Sequence, residues 1–98
     1  MTVVAKLKVK VGQEDALIAG MRKMIAHVKA NEPGTVTNLL HRSTADPTLF
    51  LFYEVYADQA AFATHGASEP MKEFFRLAGG ILDGRPDITM YEEIDGKR

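Results

Sequence analysis

The stretch Leu49-Phe50-Leu51-Phe52-Tyr53-Glu54-Val55-Tyr56-Ala57-Asp58 decides how the chain folds. It reads as a strand that stops at an aspartate and passes straight into a helix. Leu49, Leu51, Tyr53 and Val55 point one way. Phe50, Phe52 and Tyr56 point the other, with Glu54 among them. A half-buried strand alternates apolar and polar residues, whereas a strand covered on both sides is apolar throughout. Something therefore packs on each face of this sheet. The 98 residues make one domain, 1–98, with only a modest core of its own. A second copy is the simplest source of the missing layer, so a homodimer is expected.

Toward the N-terminus, Val3, Ala5, Leu7, Val9 and Val11 alternate with polar or small residues as a first strand, which Gly12 ends. Leu17, Met21, Met24, Ile25 and Val28 form one apolar stripe of a helix. Glu14 and Asp15 suit the positive end of its dipole. Asn31-Glu32-Pro33-Gly34 stops it, because proline cannot continue a helix and glycine turns the chain. Thr35 to Ser43 reads as a second strand. The turn Ala45-Asp46-Pro47 pairs it with the third strand, from about Thr48 to Tyr56, as an antiparallel hairpin.

Toward the C-terminus, Asp58 caps a short helix containing Ala61, Phe62 and His65. Gly66-Ala67 interrupts it. Ser68 caps a further helix with Met71, Phe74, Phe75 and Ala78 on its apolar side, and Ile88, Met90 and Ile94 mark a last strand. The order β-α-β-β-α-β, with the second helix broken, is the ferredoxin-like arrangement of an α+β domain. Leu17, Met21, Met24, Ile25, Val28, Phe74 and Phe75 are expected to face a four-stranded antiparallel sheet. Two such sheets packed face to face make a dimeric α/β barrel.

The net charge of −1 leaves no electrostatic footprint for nucleic acid. Lys6, Lys8 and Lys10 read as a solvated strand face or edge protection. No cysteine is present, which excludes disulfides, thiolate nucleophiles and thiolate metal sites. No apolar run approaches the roughly 20 residues that span a membrane. The chain opens directly on strand pattern with no signal peptide visible, and a cytoplasmic location is expected.

Three histidines carry the candidate chemistry. His27 reads as a boundary histidine on a solvated helix face. His41, in the second strand beside Leu39 and Thr37, has two readings: a satisfied core or interface histidine, or a proton acceptor. His65 stands at a helix end beside Gly66, a place where a pocket can open. Its alternative is a histidine stabilised by the helix dipole. Glu54, on an otherwise aromatic strand face, must be paired or have a raised pKa. An interface ion pair with a second subunit is its preferred reading. Phe62, Met71, Phe74, Phe75 and Met90 are first of all core, with some lining a cavity for a flat apolar ligand. No metal-ligand spacing, phosphate loop or nucleophile elbow occurs, so no metal or other cofactor is expected.

Glu32-Pro33-Gly34-Thr35, Phe52-Tyr53-Glu54-Val55-Tyr56 with Asp58, Ala61-Phe62-x-x-His65-x-x-Ser68 and Lys72-x-Phe74 occur here in order. In that sequence and spacing the chain resembles the antibiotic biosynthesis monooxygenase family of small dimeric α/β-barrel proteins. The absence of tryptophan argues against the family's haem-degrading and aromatic-polyketide branches and for its quinol-monooxygenase-like branch. The resemblance implies a cofactor-independent monooxygenase that uses dioxygen on a quinol or small phenolic compound. By it His65 is the matching catalytic position, with Tyr53 and Glu54 marking the same motif. For that chemistry His41 is the second candidate base, Tyr53 or Asn38 would orient a substrate oxygen, and Phe62, Met71 and Phe75 would wall the aromatic ring. Two other functions fit the same scaffold. One is an isomerase of a small phosphorylated signalling molecule, with Arg42, Lys72, Arg76 and Arg85 as candidate cations. The other is a non-catalytic dimeric binding or stress-response module.

Overall fold

The computed structural model describes residues 1–98. Four strands and three helices follow in the order β1 (Thr2–Lys8), α1 (Glu14–Asn31), β2 (Thr35–Arg42), β3 (Leu49–Tyr56), α2 (Gln59–Gly66), α3 (Glu69–Ile81) and β4 (Asp87–Tyr91). The strands form one open antiparallel sheet in the order β2-β3-β1-β4. This is the ferredoxin-like α+β fold, with the second helix divided at Ala67. No helix is long and apolar enough to cross a membrane.

Register places the side chains. Val3, Ala5 and Leu7 of β1 stand opposite Glu54, Phe52 and Phe50 of β3, and Asn38, Leu40 and Arg42 of β2 stand opposite the same three. This face carries the helices. Leu17, Met21 and Met24 of α1 and Phe74, Ala78 and Ile81 of α3 pack with Leu7, Val9, Phe50 and Phe52 into one buried core. The opposite face carries Val4, Lys6, Leu39, His41, Leu51, Tyr53 and Val55, and no element of this chain covers it. Leu39 is 52% exposed and Tyr53 37%.

Local chemistry sets the element ends. Glu14 and Asp15 occupy the first turn of α1, and Glu14 Oε2 accepts from the Gly12 N–H at 3.0 Å. Asp58 Oδ1 accepts from Ala61 N at 2.8 Å and so caps α2. Ser68 Oγ accepts from Met71 N at 3.3 Å and donates to the His65 carbonyl at 2.8 Å, tying the end of α2 to the start of α3.

Three expectations change at the edges. The first strand ends at Lys8: Val9 stays buried through an isolated bridge to Leu82, but Val11 is 88% exposed. A turn from Lys10 to Gln13, with Gly12 at φ +91°, lifts Val11 out of the sheet. Phe75 is exposed while Phe74 is buried, because successive helical residues diverge by about 100° and cannot both face one sheet. Ile94 lies beyond β4 and is exposed.

Candidate functional site

The site begins where α1 stops. Glu32 caps α1, its N–H donating to the Val28 carbonyl at 3.0 Å. A carboxylate at the negative end of a helix dipole is locally unfavourable. It is held there by tertiary partners. Thr35 Oγ1 donates to Glu32 Oε1 at 3.0 Å, and the same oxygen lies 2.8 Å from His65 Nδ1. Both side chains of this pair are about 95% buried, with 4% exposure for His65 and 5% for Glu32.

Gly34 makes the meeting possible. A Cβ on Gly34 would sit 2.7 Å from the Ala61 Cβ, so only glycine lets α2 approach the turn this closely. Ala61 and His65 are four residues apart and share one helix face. The contact at Ala61 therefore delivers His65 to Glu32. The Gly34 carbonyl also accepts from Ala57 N at 2.8 Å, which anchors the chain entering α2.

A carboxylate can only accept, so in this pair the His65 proton is assigned to Nδ1. Nε2 is then a bare lone pair, and it is buried with no hydrogen-bond partner. Its nearest charged neighbour is Glu54 Oε1 at 3.9 Å. Tyr56 stands alongside, its ring 5.6 Å from the His65 ring, and its hydroxyl is also buried without a partner. Burial pushes the Glu54 carboxyl up from its ordinary range, a protonated His65 and then the neighbouring Tyr56 hydroxyl would pull it back, and Glu32 raises it again. Burial, and then the Glu54 carboxylate, push the Tyr56 hydroxyl far above its ordinary range.

These groups open onto a cavity of about 150 Å³ between the sheet and the helices. Its interior is apolar apart from Glu54, Tyr56 and His65, with Met21, Met24, Phe52, Met71 and Phe74 among the walls. Phe75 and Ile88, each about half exposed, mark the mouth beside the β4 edge. No Lys or Arg lines it. A cavity of this size takes about one aromatic ring. Its polar groups offer an acceptor at His65 Nε2 and a donor at Tyr56, a set that matches a hydroxyl group.

The candidate residues divide between the two faces. His65, Phe62, Met71 and Phe75 line the cavity. His41 and Tyr53 lie on the uncovered face, where they border a shallow apolar depression with Leu39 and Leu51. The strand period separates them from His65 by the thickness of the sheet. Asn38 is on the helix side opposite Glu54, outside the cavity lining, with both side-chain polar atoms buried and unpartnered. Glu54 is not directed at a second subunit: its alternation places it under the helices, against His65. Nor is His27 merely solvated, since its Nε2 lies 3.1 Å from Glu32 Oε2. Glu32 is the site residue that local pattern did not single out. The signal was an acidic side chain at the wrong end of a helix. No three His, Asp or Glu side chains converge as a metal-holding group.

Fold and site together define a small α+β protein with a buried histidine–carboxylate pair whose histidine lines an apolar cavity. The chain belongs to the antibiotic biosynthesis monooxygenase family, whose model matches residues 1–77. A Caulobacter crescentus CB15 protein bearing the antibiotic biosynthesis monooxygenase name is 30% identical, with a TM-score of 0.90 over 96% of this chain and 89% of its own. A protein from Pseudomonas aeruginosa is 26% identical, with a TM-score of 0.87 over 96% of this chain and 93% of its own. At 18% identity, a Bacteroides thetaiotaomicron VPI-5482 protein shares the fold, with a TM-score of 0.88 over 100% of this chain and 93% of its own. No curated protein matches the chain.

Proposed function

We propose that the protein is a cofactor-independent monooxygenase of a single-ring quinol or small phenol, acting as a homodimer. The observation that carries the reading is the unpartnered Nε2 of His65, buried in an apolar cavity and backed by Glu32. A phenolic hydroxyl entering the cavity donates to His65 Nε2 and accepts from Tyr56. His65 takes the proton, and Glu32 stabilises the imidazolium through Nδ1–H. The electron-rich anion left behind reduces dioxygen directly. For a quinol the balance is complete. One oxygen atom enters the ring, the other leaves as water, and the four electrons come from the substrate, which becomes a hydroxyquinone. The apolar walls keep water from the anion.

The cavity does not favour a phosphorylated substrate. Arg42 stacks over Phe50 at 5.3 Å, Lys72 pairs with Glu69 at 3.2 Å, and neither lines the cavity, nor do Arg76 and Arg85. The uncovered face supports the dimer, since Leu39, Leu51, Tyr53 and Val55 form a continuous apolar strip of the kind that marks an interface. Oxygen uptake with chemically reduced benzoquinones and naphthoquinones tests the activity. Uptake with the one-ring quinols is expected. None with any member of the panel, in protein shown to be folded, sinks the proposal. Light scattering tests the assembly, with twice the chain mass expected. The mass of one chain at micromolar concentration removes the dimer.

A further inference from the structure

Glu32 serves two histidines, and only one of them faces the cavity. Its Oε1 holds His65 and Thr35, while its Oε2 is buried and makes no hydrogen bond. The nitrogen beside that second oxygen is His27 Nε2, 3.1 Å away and off the line of a hydrogen bond. The other nitrogen of His27 lies 3.2 Å from Asn31 Nδ2, an amide donor that also reaches the His27 carbonyl. An N–H at that position makes Nδ1 the acceptor, assigns the neutral ring's proton to Nε2 and turns an N–H toward Glu32. The His27 side chain is 28% exposed and that of Glu32 only 5%, so His27 stands between the carboxylate and solvent.

We infer that His27 is a positioning residue: it closes on Glu32 Oε2, holds the carboxylate in the rotamer that grips His65 Nδ1–H, and so keeps the His65 lone pair in the cavity. A buried carboxylate oxygen without a partner gains by turning toward any donor, water included. Such a rotation breaks the 2.8 Å contact to His65. His27 does not line the cavity, so it acts only through Glu32. The inference rests on His65 as the base of the cavity but not on turnover.

The readout is exchange of the His65 Nδ1 proton with water, followed by NMR in nitrogen-15-labelled protein. His27→Gln keeps an N–H donor near the Nε2 position. His27→Met fills similar space without one. Exchange in His27→Gln is expected within about twofold of wild type, and in His27→Met about tenfold faster, as local opening of the pair becomes more frequent. Equal rates in the two variants, whether fast or slow, overturn the role of the donor. If His27→Met does not fold, Asn31→Ala provides the second test, because it frees the His27 ring without touching the pair. The same acceleration is expected, and an unchanged rate counts against the inference. Where a reduced benzoquinone is turned over, His27→Met lowers kcat and leaves KM unchanged. Where none is, the exchange rates still decide, so failure of the activity and failure of the clamp are separate results.

Discussion

Glu32 ends one helix and His65 ends another, and their side chains meet at 2.8 Å across 33 residues of sequence. The pair is nearly inaccessible, and each member has a polar atom left over: Oε2 on the carboxylate and Nε2 on the ring. Under the proposed function that Nε2 is the base, at the wall of the apolar cavity.

Removing the carboxylate should unsettle both of its donors. Glu32→Ala leaves His65 Nδ1 and Thr35 Oγ1 without their acceptor. A loss of about 2 kcal/mol in urea denaturation is expected, the usual penalty for stranding buried donors. Glu32→Gln keeps an acceptor oxygen and should cost less. A Glu32→Ala protein as stable as wild type would mean that the pair contributes nothing to the fold.

Loss of the ring should abolish chemistry while keeping the fold. His65→Ala should lower oxygen uptake with a one-ring quinol by roughly 10²–10⁴-fold, the range for a well-placed general base. His41→Ala should leave the rate within about twofold, because His41 lies across the sheet from the cavity. A larger loss for His41→Ala than for His65→Ala would move the reaction to the other face.

Glu54 should make stability fall with rising pH. Burial raises its folded-state pKa above the ordinary 4.5. Between those two values the folded chain binds more protons at this position than the unfolded chain does. Its contribution is therefore fully present below the ordinary value and is lost as pH rises through the raised one. Glu54→Gln removes the titration. The stability of wild type relative to Glu54→Gln should decline as pH rises above the ordinary 4.5, in urea melts at several pH values. A difference that stays flat would show that the carboxyl is not pushed up.

Two glycines should respond differently to a methyl group. A Cβ on Gly34 meets the Ala61 Cβ at 2.7 Å, and a Cβ on Gly20 meets the end of the Leu77 side chain at 2.6 Å. Leu77 can turn to another rotamer; Ala61 is short and fixed to its helix. Gly34→Ala should cost about 1–3 kcal/mol as α2 is forced outward, and should weaken the grip of Glu32 on His65. Gly20→Ala should cost less than about 1 kcal/mol, offset in part by better helix propensity. Equal melting temperatures for the two variants would contradict the account of how α2 is seated.

The sequence by itself determined the elements and their order, because alternation, apolar stripes and capping residues are local signals. Leu49–Tyr56 showed both faces of its strand, Asp58 and Ser68 marked the two helix starts, and Gly66-Ala67 showed the break between them. Where Gly12 bends the chain, and which of Phe74 and Phe75 turns inward, depended on turn geometry and helix phase that the pattern leaves loose. Tertiary structure alone decided the site. Period-two alternation separates residues into two sets but does not say which set the helices cover. His41 and Tyr53 therefore looked as close to His65 as Glu54 did, until packing placed them on opposite faces. The partnership of Glu32 with His65 rests on the approach of Gly34 to Ala61. That is a contact between chain segments far apart in sequence, which no local propensity encodes.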